Sequence, residues 1–149
     1  MTFLDVLNRQ NHEIAELTKV LAYLIQEREL CDTDIASNLI DQYVARVKEH
    51  FERNNKFVYG DLLTHQDVGV NNTAKRFLEG EKEIKRLFND FVGRWCRQGL
   101  RIDNHARFLA EADDIFRLVA RRIQAECEEL YPLARRLGHG AEAAASQRA

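Results

Sequence analysis

The chain has 149 residues, of which 45% are hydrophobic and 31% are charged, and its formal net charge is −2. This length and composition fit one globular domain and exclude a disordered chain. Charges of both signs are mixed along the sequence and no apolar run is long enough to span a bilayer, so we expect neither a nucleic-acid partner nor a membrane segment.

Apolar residues recur with helical spacing in the first half of the chain. The first predicted helix covers about 3–28. The second begins after a cap at Asp32 or Thr33 and continues to about 63, and a loop follows at 64–71. Two long amphipathic helices are therefore predicted before the middle of the chain.

The second half of the chain repeats this pattern. A third predicted helix opens near Asn71 or Asn72 and ends at Gly99, a residue type that favours helix C-termini. The fourth covers about 103–137, with Asp103 as its cap, and Pro132 is expected to interrupt it near its end.

Four long helices with short connections favour an all-α fold, an antiparallel up-down-up-down four-helix bundle. We assign residues 1–140 to this bundle and predict that the small, polar residues 141–149 form a disordered tail.

The three cysteines are an odd number at wide spacing: Cys31, Cys96 and Cys127. This pattern is typical of reduced thiols rather than of a disulfide framework, and we find no signal peptide at the N-terminus. We therefore predict a cytoplasmic protein.

Polar residues interrupt the apolar stripe of each predicted helix. At a rise of about 1.5 Å per residue, all of them fall at a similar height in an antiparallel bundle. Buried polar residues are costly unless they are paired or bind an ion, so this layer is the predicted functional site. Its members are Asn11, His50, Asn54, Glu81, Arg122 and Glu126.

The segments around these residues resemble the hemerythrin-like (HHE) family of metal-binding four-helix bundles. Residues 50–59 read HFERNNKFVY, similar to the family's H-F-x-x-E-E-x-x-L-F. Residues 122–132 read RIQAECEELYP, similar to H-I-x-x-E-E-x-x-L-Y-P. The segments that follow Asn11 and Glu81 keep the family's apolar register. The resemblance covers nearly the whole chain and implies a hemerythrin-like fold.

The resemblance also implies where the family's metal ligands would lie. His50 and Glu126 match a histidine and a bridging carboxylate. The remaining four positions differ from the family pattern: Asn11, Glu81 and Arg122 stand in place of histidines, and Asn54 in place of a carboxylate.

Arg122 argues most strongly against a metal at this layer. Arginine stays protonated and is not a usual metal ligand. A divalent cation about 5 Å away would be repelled by roughly 7 kcal/mol at an effective dielectric constant near 20. We therefore expect Arg122 to form an ionic triad with Glu81 and Glu126, and we expect no cofactor.

The alternative is a site for a single Fe, Mn or Zn ion. Its ligands would be His50, Glu81 and Glu126, a set of donors that suits these metals. This alternative requires the Arg122 side chain to leave the layer, and it would make the chain a metal-binding protein that senses O₂, NO or redox state.

Three further residues lie near the layer in sequence or in the predicted fold. His12 is adjacent to Asn11 but about 100° from the apolar stripe, so we predict a surface position. His65 falls in the predicted loop, where we expect it to be solvated. Cys127 follows Glu126, and we favour a small packing residue over a thiol sensor.

These observations predict a non-enzymatic cytosolic binding or regulatory protein whose di-iron site has been replaced by a buried ionic layer. We find no residue arrangement typical of nucleophilic catalysis. A protein partner is compatible with this prediction, but the sequence does not identify one.

Overall fold

The computed structural model describes residues 2–54 and 58–137 of the chain. Helices make up most of this part, and no β-strand occurs within it, so the all-α prediction is confirmed. In chain order it contains α1 (Phe3–Leu24), α2 (Arg28–Cys31), α3 (Asp34–Asn54), α4 (Gly60–Leu63), α5 (Val68–Trp95), α6 (His105–Ala125), a π-helical turn (Glu126–Leu130) and α7 (Tyr131–Leu137).

Two predicted features fall on residues that the structure does not describe. They are the predicted tail at 141–149 and residues 55–57 of the second predicted helix.

No helix of the described part combines the length and apolar character that crossing a membrane requires.

The first predicted helix is shorter than expected. A capping box starts α1, because the Thr2 hydroxyl accepts a hydrogen bond from the Asp5 amide and the Asp5 carboxylate accepts one from the Thr2 amide. The helix ends at Leu24. The Ile25 carbonyl then contacts the ring of His105 at 2.8 Å and the thiol of Cys31 at 3.4 Å. These side chains take the place of the backbone donor that would continue the helix.

The caps of α5 and α6 also differ from the predicted ones. The side chain of Asp67 accepts hydrogen bonds from the amides of Gly69 and Val70, so α5 begins three residues before Asn71. It ends at Trp95. The cap of α6 is Asn104 rather than Asp103, since the Asn104 side chain accepts from the Arg107 amide at 3.1 Å.

The interruption of the fourth predicted helix lies immediately before Pro132. In the π-helical turn the Tyr131 amide donates to the Glu126 carbonyl, five residues back. Pro132 has no amide hydrogen and therefore cannot donate to the Glu128 carbonyl one turn earlier. The wider turn accommodates this missing hydrogen bond, and the chain continues as α7.

The apolar core consists of two clusters with the polar layer between them. The larger cluster contains Ile14, Val47, Ile84 and Val119, and the smaller one contains Leu7, Val58, Phe77 and Leu130. On α1 and α5 the chain passes from the smaller cluster through the layer to the larger one. From α3 to α4, and from α6 into the π-helical turn, it passes in the opposite order.

Candidate functional site

All six polar residues predicted to form the layer are buried. Their exposed fractions range from 0% for Asn54 and Glu126 to 7% for Arg122. The structure nevertheless divides them into a connected network around Glu126 and two residues, Glu81 and Asn11, that lie at its margins.

Glu126 is the centre of the network. Its Oε1 atom lies 2.8 Å from the His50 Nε2 atom and 3.3 Å from the Tyr131 hydroxyl oxygen. Its Oε2 atom accepts from Asn54 Nδ2 at 2.7 Å and from Arg122 Nε at 3.1 Å. Burial raises the pKa of this carboxyl, but the His50 and Arg122 interactions together outweigh it and hold the pKa below its ordinary value. The Glu126 carboxylate is therefore ionised and fully bonded.

Arg122 uses its other two nitrogens on two further partners. Nη1 donates to the Phe77 carbonyl at 2.8 Å, and Nη2 donates to the Tyr59 hydroxyl. The guanidinium carbon also lies 4.8 Å from the centre of the Phe77 ring, a cation–π contact. Burial raises the pKa of Tyr59, so this phenol stays neutral and accepts from the guanidinium. The Arg122 side chain is thus held in one position by hydrogen bonds to Glu126, Phe77 and Tyr59.

Glu81 stands apart from Arg122. Its Oε2 atom lies 3.5 Å from Lys85 Nζ, and its Oε1 atom has no hydrogen-bond partner among the described residues. Burial raises the pKa of this carboxyl more than Lys85 and Arg122 lower it. The predicted ionic triad is therefore only partly formed, because Arg122 pairs with Glu126 and Glu81 pairs with Lys85.

Asn11 lies at the margin of the layer nearest Cys127. Asn11 Nδ2 donates to the Cys127 sulfur at 3.4 Å, whereas its Oδ1 atom has no partner within the described part of the chain. Cys127 is exposed, and its thiol lies 3.5 Å from the Asn8 side-chain oxygen. The Cys127 thiol therefore lies outside the Glu126 network and is exposed, whereas we predicted a small packing residue at this position.

The two histidines near the layer have no contact with it. His12 is exposed, in agreement with its predicted surface position. His65 is partly buried, and its ring accepts a hydrogen bond from the Asp67 amide at 3.0 Å. His65 thus stabilises the loop before α5.

Four residues that contact the polar layer were not predicted from the sequence. Tyr59 and Tyr131 supply hydroxyl groups, Gln10 contacts His50 Nδ1 at 3.1 Å, and Lys85 pairs with Glu81. A signal existed for Lys85, since it follows Glu81 by four residues, the spacing of helical ion pairs. Both tyrosines fall in the segments that resemble the family, but helical spacing gave neither of them a place in the layer.

The geometry of the layer does not fit a metal centre. In residues 2–54 and 58–137, no group of three or more His, Cys, Asp or Glu side chains is placed to hold a metal ion. His50 and Glu126 are bonded to each other, Glu81 is bonded to Lys85, and the guanidinium of Arg122 lies against the shared carboxylate.

Comparison with known proteins identifies the family. The family model described as the hemerythrin HHE cation binding domain matches residues 2–134. Neither the curated proteins nor the solved structures that were searched contain a match to the chain. The family match spans most of the chain, including all six residues of the polar layer, and the chain therefore belongs to the hemerythrin HHE cation-binding domain family.

Proposed function

We propose that this chain is a hemerythrin-like domain in which the Arg122 guanidinium takes the place of the family's cation. In this proposal the chain is a non-enzymatic cytoplasmic protein that binds or regulates a partner, and it carries no resident metal. The observation that supports it best is the position of Arg122. Its side chain is 6% exposed, and its Nε, Nη1 and Nη2 atoms each donate to a protein acceptor.

The topology that we propose is the up-down-up-down four-helix bundle. The order of the two apolar clusters supports it, because this order alternates from α1 to α3, α5 and α6. Side-chain contacts between α1 and α3 agree with it, since Gln10 meets His50 and Glu13 meets Arg46.

The chemistry of the layer supports a structural rather than a catalytic role. Glu126 has both oxygens bonded to neighbours, and its group of partners is buried. A general acid or base needs a free position within hydrogen-bond reach of its substrate. A saturated carboxylate in a closed layer lacks that position, and it is better suited to fixing the relative register of the helices.

Exposed apolar residues near one end of the domain support a protein partner. Among the described residues, the exposed large apolar side chains are Val68, at the start of α5, and a group of four: Val20, Tyr23, Leu30 and Ile35. These four fall at the end of α1, in α2 and at the start of α3. Apolar side chains that cluster on a surface are typical of interaction sites.

Metal analysis tests the central proposal. Protein purified without chelator should contain Fe, Mn and Zn at levels far below one ion per chain, and its visible spectrum should be featureless. A near-stoichiometric content of any of these metals would overturn the proposal.

A paired variant tests whether the guanidinium is what excludes the metal. In E81H/R122H, histidines return at two positions where the family has them, so we expect the variant to bind a divalent metal in a titration. The matched control is E83H/R121H, which places histidines at the exposed neighbours. If neither variant binds metal and both fold, Arg122 is not the feature that excludes the ion.

The alternative function is metal binding by His50, Glu81 and Glu126, with one Fe, Mn or Zn ion and a role in O₂, NO or redox sensing. Two observations favour it. The family is described as cation-binding, and the buried Glu81 Oε1 atom has no partner in the described part. This function requires Arg122 to give up its contacts with Glu126, Phe77 and Tyr59.

A further inference from the structure

A pocket of about 230 Å³ lies at the connection between α5 and α6. It is distant from the polar layer, because Glu81 precedes Trp95 by about four helical turns, or roughly 21 Å along α5. No acidic residue lines it. Its lining residues are Arg94, Trp95, Arg97, Gln98, Gly99 and Arg101.

The charge of this pocket is opposite to that of the whole chain. Three arginines line it, whereas the formal net charge of the chain is −2. Arg94 pairs with Glu111. Arg97 and Arg101 form no ion pair within the described residues. Two exposed guanidinium groups therefore face one concavity with all of their donors available.

The carboxylate that contacts two of the lining residues, Arg94 and Trp95, is Glu111. Glu111 accepts hydrogen bonds from Arg94 and, at 2.7 Å, from the Trp95 indole nitrogen, and Arg107 Nε lies 3.9 Å from it. Because these three groups already bind the Glu111 carboxylate, we do not expect it to neutralise Arg97 or Arg101.

The backbone between the two arginines is fixed. The Arg101 amide donates to the Trp95 carbonyl at 2.8 Å, and the Leu100 amide lies 3.4 Å from the Ser37 hydroxyl that accepts its hydrogen bond. Gly99 has a φ of +83°, which a side chain would disfavour. A rigid turn holds Arg97 and Arg101 near each other, so binding an anion requires little ordering of the backbone.

We propose that this pocket binds a phosphate group, either as inorganic phosphate or as part of a small soluble phosphomonoester. The planar guanidinium group matches the oxygens of phosphate in bidentate pairs, and at neutral pH phosphate carries up to two negative charges that two free arginines neutralise. The pocket volume accommodates a phosphate group with a small substituent.

The single tryptophan of the chain provides a local reporter, since Trp95 lines the pocket. Phosphate and glycerol 3-phosphate are titrated separately into the full chain. The ionic strength is held constant by lowering the chloride concentration as each ligand is added. We expect a saturable change in Trp95 fluorescence with both ligands, confirmed by calorimetry. Vesicles of phosphatidylcholine, with and without phosphatidic acid, form the third arm.

The variant R97Q/R101Q should bind both soluble ligands at least about tenfold more weakly than the unmodified chain. The matched control is R117Q/R121Q, which removes the same charge from two exposed arginines that are also four residues apart and also lack an ion pair in the described part. Its affinity should be unchanged. If R97Q/R101Q does not fold, the single variants R97Q and R101Q serve instead.

Three results would overturn the proposal. The first is the absence of saturable binding of either soluble ligand. The second is an equal loss of affinity in R97Q/R101Q and R117Q/R121Q, which would indicate general charge attraction. The third is binding to phosphatidic acid vesicles alone, which would indicate a lipid surface.

Discussion

The Nε atom of Arg122 donates to the Oε2 atom of Glu126 across 3.1 Å, and this buried ion pair spans the junction between α6 and the π-helical turn. Both side chains are almost fully enclosed, at 6% and 0% exposure. The attraction of such a pair is offset by the cost of removing both charges from water. The same cost makes the loss of either partner severe, because the remaining charge stays buried.

Replacing Arg122 with Met should destabilise the domain by about 3–5 kcal/mol, the range observed when one partner of a buried ion pair is removed. The variant leaves Glu126 Oε2, the Phe77 carbonyl and the Tyr59 hydroxyl without their donor. Urea unfolding followed by circular dichroism measures the change. The control is R121M, at the exposed neighbour Arg121, and it should change stability by less than about 0.5 kcal/mol. A loss below about 1 kcal/mol in R122M would contradict a fixed guanidinium at the layer.

Replacing Tyr59 with Phe should cost about 1–3 kcal/mol, because the Nη2 atom of Arg122 then lacks its acceptor in a buried environment. Tyr59 is 2% exposed and Tyr23 is 82% exposed, so Y23F removes the same hydroxyl from a solvated site. Thermal unfolding of both variants decides the comparison. Equal transition temperatures for Y59F and Y23F would mean that the Tyr59 hydroxyl does not hold Arg122.

The position of the layer was predictable, whereas its bonding was not. Polar residues such as Asn11, His50 and Arg122 stand where the apolar repeat requires core residues, and helical spacing alone places them in the interior. All of them are buried in the structure. The choice of partner depends on distances that a repeat does not encode, and so Glu81 was expected to meet Arg122 but lies against Lys85.

Tyr131 shows why part of the network could not be found from spacing. It follows Glu126 by five residues, and in a regular α-helix side chains five apart point about 140° from each other. The π-helical turn between them changes this relation, and the Tyr131 hydroxyl reaches both Glu126 and Asn54. Pro132 signalled an interruption, but the sequence did not indicate that the interruption would turn a tyrosine inward.

The buried carboxyl of Glu81 should make stability depend on pH. Its pKa is raised above the ordinary value of 4.5, so the folded state binds a proton more tightly than the unfolded state does. Stability is therefore lost as the pH rises from 4.5 through the raised pKa. E81Q removes this dependence, because glutamine resembles the protonated carboxyl. The stability of E81Q relative to the unmodified chain should increase with pH and then become constant.

Urea unfolding at several pH values between about 4 and 8 measures this dependence. The control is E83Q on the same helix, since Glu83 is exposed and the pKa of its carboxyl is lowered by its hydrogen bond with Arg86. E83Q should not become more stable relative to the unmodified chain as the pH rises. A relative stability of E81Q that stays constant over the whole range would show that Glu81 titrates alike in the folded and unfolded states.

The two buried asparagines of the layer should respond in opposite ways to replacement by Leu, a side chain of similar shape. Asn54 donates to Glu126 at 2.7 Å and accepts from Tyr131 at 3.1 Å. N54L leaves both partners short of a hydrogen bond in the interior, and we expect a loss of about 2–4 kcal/mol. Asn11 has an Oδ1 atom without a partner in the described part, and its Nδ2 atom contacts the sulfur of Cys127.

N11L should therefore leave stability unchanged or raise it by about 1 kcal/mol, because an apolar group replaces a buried oxygen that lacks a partner. Both variants remove one amide from a site that is 2% exposed or less, so any difference between them reflects bonding rather than burial. Equilibrium unfolding in urea gives the two free energies. Equal losses in N11L and N54L would mean that the Asn11 oxygen is bonded in solution, and a buried water molecule would then be its partner.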